Sequence, residues 1–268
     1  MSRKFSRRLR TFKEWILPFS TAWELLLDIP FPGSLKSQDD VENSSVLMSF
    51  PLVGAFLGIL GYILARFLLA FLGNFAASVV FSILFASFLE FITKGRNLSI
   101  LSSFIENRFD GTSTYDSFMN LSDNFNAQRS PAGTISIILL FIFRVFCFAV
   151  LVSHGCAFWI ISVLIADFTV QAHLATGPDI KTAQPLLEVE EKFIYQPWFT
   201  AAAIIFLSSF PDFISAVIAI AVSFIFAFLF KKYCMEILEG VSGKITGFAG
   251  YAIETIMLLA GIVLLIKS

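Results

Sequence analysis

Charge is scarce in this sequence: Asp, Glu, Lys and Arg together make up 15% of 268 residues, beside two histidines and three cysteines. With 57% hydrophobic residues and a mean hydropathy of +0.80, a water-soluble fold of this length is excluded, because its interior is too small to hide that much apolar surface. Cys147, Cys156 and Cys234 show no metal-ligand spacing and read as small apolar side chains. There is no glycine-rich nucleotide loop, no H-E-x-x-H pair, no heptad pattern and no clear inverted repeat. Recurrent rings of charge and filter-like sequences, the marks of a channel, are also missing. The first thirteen residues lack acids altogether, while Arg3, Lys4, Arg7, Arg8, Arg10 and Lys13 crowd them. A retained, cytoplasmic basic tail is expected there rather than a secretory signal, since 15–27 is short, broken by Pro18, and carries Glu24 ahead of Asp28. No nucleic-acid partner is expected.

What the chain has is phenylalanine, 33 residues of it, and long apolar runs. A spanning helix needs roughly 20 apolar residues at about 1.5 Å rise each. Segments 47–72, 75–92, 134–153, 157–175 and 247–266 reach or approach that length. The run 198–230 is too long for one helix and breaks at Ser208-Ser209-Phe210-Pro211-Asp212, leaving a short first half and a spanning second half. The fold class is therefore all-α: a polytopic integral membrane bundle of about six or seven spans, preceded by an interfacial or re-entrant segment. Residues 1–45 are read as a basic tail and interfacial segment, and 46–268 as one membrane domain with polar loops at 94–133, 177–197 and 231–245. Crossing at each span puts all three loops and the basic start on one side, and the positive-inside rule makes that side the cytoplasm.

Charges inside apolar runs are costly in lipid and normally face protein or water. Glu90 lies near the end of its run and Glu254 a turn or two inside its own. Arg144 and Asp167 sit in mid-span on consecutive segments, at nearly equal depth counted from the turn at Gly155, and an ion pair between them is expected. Glu106, Asp110, Asp116 and Asp123 belong to the long polar stretch.

Several local signatures, in order, resemble the cobalamin synthase (adenosylcobinamide-GDP ribazoletransferase) family. Phe50-Pro51-Leu52-Val53-Gly54-Ala55-Phe56-Leu57-Gly58 is similar to its F-P-L-V-G-x-x-x-G element. Phe19-Ser20-Thr21-Ala22 followed by Asp28-Ile29-Pro30-Phe31-Pro32 is a looser likeness to F-x-T-R-L-P-x-P. Gly240-Val241-Ser242-Gly243-Lys244-Ile245-Thr246-Gly247, followed by Glu254, resembles its G-G-x-T-G-D-x-x-G and embedded Glu. The resemblance implies transfer of a ribazole alcohol onto adenosylcobinamide-GDP with release of GMP, using Mg²⁺, in a bacterial cytoplasmic membrane. It implies Glu106, Asp123 and Arg129 as catalytic, Glu106 and Asp110 as metal ligands, and Gly240, Gly243, Gly247 and Glu254 as substrate-binding.

One stretch departs from the pattern. Where the family has T-G-G-x-H-L-D-G-L-A-D-T-x-D-G, residues 93–107 place Asn97 for the histidine, Ser99 and Ser103 for two aspartates and Glu106 for the third, and Lys244 replaces an aspartate near the C-terminus. Serine is a poor Mg²⁺ ligand without carboxylate neighbours, so weakened or lost transfer is expected. The alternatives are a non-catalytic relative that binds a nucleotide-linked or lipid-like ligand or a partner protein, and a small-solute transporter. The oligomeric state stays open.

Overall fold

The computed structural model describes residues 16–27, 29–31, 42–123, 131–208 and 213–265, the side chains of 120–123 excepted. The basic residues of the first thirteen, Arg129 and the Pro211 turn lie outside the described residues. Every regular element among the described residues is helical: α1 (16–26), α2 (Asn43–Phe71), α3 (Asn74–Ile92), α4 (Arg96–Phe109), α5 (Thr114–Asp123), α6 (Pro131–Ser153), α7 (Trp159–Ala175), α8 (Gln196–Ser208), α9 (Phe213–Ile237) and α10 (Gly243–Leu265), with a short 3₁₀ turn at Glu191–Phe193. Helices suit lipid because each satisfies its own backbone. Hydroxyls inside the apolar helices follow the same rule: Ser82, Thr169 and Ser223 each donate to the carbonyl four residues back.

Five helices, α2, α3, α6, α9 and α10, are long and apolar enough to cross a bilayer. The sixth span of the sequence reading is α7, which has 17 residues, all of them buried. It is the axis of the bundle, enclosed by α2, α8, α9 and α10. α8, with 13 residues, is the short half that precedes the break. Large apolar side chains such as Phe75, Phe91, Leu139 and Leu207 cover the outside, as lipid contact requires.

Glycines set how closely α2 and α10 approach this axis. A Cβ at Gly54 would strike the Leu164 carbonyl, and one at Gly58 would lie 2.6 Å from the Ile161 Cα. Gly54-x-x-x-Gly58 is thus a small-residue stripe that seats α2 on α7. On α10, Gly250 meets Asp167 and Gln171, and Gly261 meets Trp159, whose Nε1 donates to the Met257 carbonyl at 2.8 Å.

The polar stretches are more structured than expected. Residues 94–133 hold α4 and α5, whose Phe104 and Phe118 rings meet at a tilt with centroids 4.7 Å apart and pack on Phe248 of α10. The 231–245 loop shrinks to 238–242, because α9 continues to Ile237 and α10 begins at Gly243. Residues 177–197 are pinned by Val241 N donating to the Pro178 carbonyl at 2.7 Å and by Asn43 Nδ2 donating to the Glu188 carbonyl at 3.0 Å. At the opposite end the described connections, 72–73 and 154–158, are short, and Asn74 Nδ2 donates to the Ser153 carbonyl at 2.9 Å.

Candidate functional site

Arg144 is the best-held charge of the bundle. Its Nε and Nη2 donate to Glu254 Oε1 and Oε2, each at 2.6 Å, and its Nη1 donates to Glu90 Oε1 at 2.6 Å. The guanidinium also lies over the Tyr251 ring at 5.3 Å. The expected Arg144–Asp167 pair is therefore corrected: Asp167 Oδ1 instead accepts from Gln171 Nε2 at 2.8 Å. The physical reason is helix placement: α6 packs on α3, α4 and α10, and α10 occupies the place beside α7. Glu254, substrate-binding by the resemblance, is 2% exposed with both oxygens held by Arg144, so it braces the bundle.

The open polar site lies at the looped end. A cavity of about 440 Å³ is bounded by α1, α2, α4, α7, the 177–190 segment and the first turn of α10. Arg96, Lys181 and Lys244 line it, together with Gln171, Ser242, Gly243 and Thr246. Its floor is shaped by local folding: Arg96 Nη2 donates to the Leu26 carbonyl at 2.9 Å, fixing α4 against α1. Gly243 has open space where a Cβ would stand, so the α10 N-terminus is accessible from the cavity. Three cationic side chains and a helix N-terminus, each a group that attracts anions, meet at this site.

The remaining glycines named by the resemblance serve packing. A Cβ at Gly240 would lie 2.7 Å from the Pro178 carbonyl oxygen, and one at Gly247 would lie 2.9 Å from Asn97 Oδ1. Only Gly243 borders the cavity.

Among the described residues the sequence-nominated acids do not assemble. Ser99, Ser103 and Glu106 form one stripe along α4, as spacings of four and three dictate. Ser103 Oγ donates back to the Ser99 carbonyl at 3.0 Å, and Glu106 lies against Gly133 at the start of α6. Asp110 follows the last residue of α4 and is exposed; Asp123 ends α5, with its side chain outside the described residues. Among the described residues no three His, Cys, Asp or Glu groups gather to hold a metal ion. Mg²⁺ needs negative oxygens around an octahedron, and the described side chains do not supply them in one place.

Arg96, with Lys94, is legible in the sequence as a phosphate-neutralising cation, but its grouping with Lys181 and Lys244 is not. Their signal was present as isolated cations in separate polar segments, without any spacing to join them.

A family model described as cobalamin-5-phosphate synthase matches residues 130–262, about half of the chain, from the start of α6 into the last turns of α10. That region includes Arg144, Lys181, Lys244 and Glu254; it begins beyond 93–107, where the serines replace aspartates. No curated protein and no solved structure matches the chain.

Proposed function

The chain belongs to the cobalamin synthase family, and from that premise we propose that it binds a guanosine-diphosphate-linked corrinoid at the basic cavity while transferring the ribazole alcohol poorly. The observation that carries this reading is the convergence of Arg96, Lys181 and Lys244 on the N-terminus of α10. A diphosphate linkage puts several negative oxygens in one place, and cations with an accessible helix N-terminus are the matching surface.

Transfer asks for more than binding. An attacking alcohol must approach a phosphorus ringed by negative oxygens, and stabilising the charge that develops usually supplies the largest part of the barrier reduction. The stripe Ser99, Ser103, Glu106 offers one carboxylate where three would neutralise metal and orient phosphate. The cavity cations stabilise the bound ground state and the departing GMP alike, which favours binding over rate. The looped end of the bundle, in this reading, faces the cytoplasm of a bacterium, where the nucleotide-linked substrate is found.

Two measurements test the proposal. Titration of the GDP-linked corrinoid into the purified protein in nanodiscs should show saturable binding that survives EDTA; absence of binding refutes the cavity assignment. Expression in a bacterium lacking its own cobalamin synthase, grown on cobinamide plus the ribazole base, should give little or no rescue. Ser99→Asp with Ser103→Asp should raise rescue in an Mg²⁺-dependent way. Full rescue by the unaltered chain would refute the loss of transfer.

A further inference from the structure

A second recess opens on the other side of the α4 start, facing away from the basic cavity. It has a volume of about 580 Å³ and lies in the angle between α3, α4 and α6. Its polar end carries Glu90, Lys94 and Ser99, and its apolar wall is Ile138, Phe141 and Ile142 of α6. Ile138 and Ile142 are each more than half exposed, so the wall continues into the lipid-facing surface of the bundle. Lys94, exposed at the end of α3, stands at the mouth.

The charge balance at its floor is incomplete. Arg144 brings one positive charge to two carboxylates, Glu90 and Glu254. Glu254 uses both oxygens on Arg144, whereas Glu90 uses Oε1 only, and its Oε2 is buried without a hydrogen-bond partner. An uncompensated buried carboxylate oxygen is expensive in a low-dielectric medium. The terminal carboxylate torsion of Glu is soft, so a small rotation turns Oε2 to the recess while Oε1 keeps Arg144.

We propose that this recess is a binding site for a phospholipid of the surrounding bilayer whose head carries a primary ammonium, as in phosphatidylethanolamine. Three features select it. Acyl chains lie along Ile138, Phe141 and Ile142, which water cannot wet favourably. The phosphate meets Lys94 at the mouth. The ammonium donates N–H to Glu90 Oε2 and supplies the positive charge that the Arg144 cluster lacks. A trimethylammonium head has the charge but no N–H donor, and a glycerol head has a donor but no positive charge.

The test compares lipids of identical acyl chains and needs no enzymatic activity. The full chain is reconstituted into nanodiscs of phosphatidylethanolamine, its mono-, di- and trimethylated forms, or phosphatidylglycerol, then released into detergent for native mass spectrometry of retained lipid. Retention of the ethanolamine lipid should exceed the choline lipid about tenfold, the equivalent of one charge-assisted hydrogen bond, with the main fall at the last methyl. Ile138→Trp, which fills the recess from its lipid side, should abolish the preference and leave melting in phosphatidylcholine unchanged. Lys94→Gln should lower retention of both zwitterionic lipids together. Equal retention of the ethanolamine and choline lipids overturns the proposal and leaves a proton on Glu90 as the compensation. Preference for phosphatidylglycerol overturns the ammonium assignment, and preference that persists in Ile138→Trp places the lipid elsewhere.

Discussion

Arg144 and Glu254 face each other as a parallel two-bond pair, with Nε on Oε1 and Nη2 on Oε2 at 2.6 Å, across helices separated by 110 residues of chain. This geometry fixes the rotation of α6 and α10 about their own axes, which apolar packing alone would leave loose. Neither partner can relax toward water, since their side chains are 7% and 3% exposed.

Removing one member should therefore be far worse than removing both. Arg144→Leu alone is expected to cost about 3–5 kcal/mol, because two buried carboxylates are left uncompensated, and Glu254→Leu less, because Glu90 stays on Nη1. Arg144→Leu with Glu254→Leu and Glu90→Leu should recover most of that loss. Asp167→Leu removes one hydrogen bond to Gln171 and should cost less than Arg144→Leu. Tryptophan-fluorescence melting in detergent measures all of these; an Asp167 variant as damaged as Arg144→Leu would restore the pair expected from the sequence.

The α2–α7 crossing makes a separate prediction about size. Gly58→Ala places a methyl against the Ile161 backbone, which cannot rotate away, so the helices must part, at a cost of about 1–3 kcal/mol. Gly54→Ala should behave alike. Gly73→Ala, where a Cβ meets nothing within 4 Å, is the control and should melt with the unaltered protein.

At the basic cavity, Arg96→Gln and Lys244→Gln should each weaken binding of the GDP-linked corrinoid about tenfold, near 1.4 kcal/mol. Lys181 is exposed, so Lys181→Gln should matter less and its effect should fade with added salt. Calorimetric titration at two ionic strengths reads both, and Arg96→Gln needs a melting control because it also ties α4 to α1.

Orientation is open to direct labelling. The three native cysteines are buried, so engineered ones report cleanly. Cysteines at Ser113 and Thr182, both exposed at the looped end, should escape an impermeant maleimide added to intact cells; a cysteine at Gly73 should react. Labelling of the first two without the third would invert the topology.

Hydropathy alone located α2, α3, α6, α7 and α10 to within about four residues, and α9 at its start but seven residues short of its end at Ile237, because a bilayer enforces a minimum apolar length. It could not find α4 and α5. Their apolar positions, Leu98, Ile100, Phe104 and Phe118, are outnumbered by polar neighbours, and they become visible as helices only once α6 and α10 supply the surface they pack on. Intramembrane charge was equally legible: Glu90, Arg144, Asp167 and Glu254 all stood out as costly. Who pairs with whom was not, since sequence order gives depth in the membrane but not which helix stands beside which. Gly54 and Gly58 were read for their likeness to a family element, and their packing role needed the neighbouring helix. The cavity cations come from segments roughly 60 to 150 residues apart, and no local pattern could have assembled them.

Chain order gives the Arg144 cluster a consequence for biogenesis. α6 leaves the ribosome with its guanidinium long before α10 is made, and 110 residues at ~5–20 residues per second amount to on the order of ten seconds. During that interval Glu90, already synthesised 54 residues upstream, is the counterion at hand. α3 and α6 can therefore leave the translocon as a provisional hairpin, held by one bond to Oε1. Arrival of Glu254 then closes the cluster, so a nascent chain stopped before α10 has its arginine charge balanced by Glu90 while Nε and Nη2 still lack their acceptors.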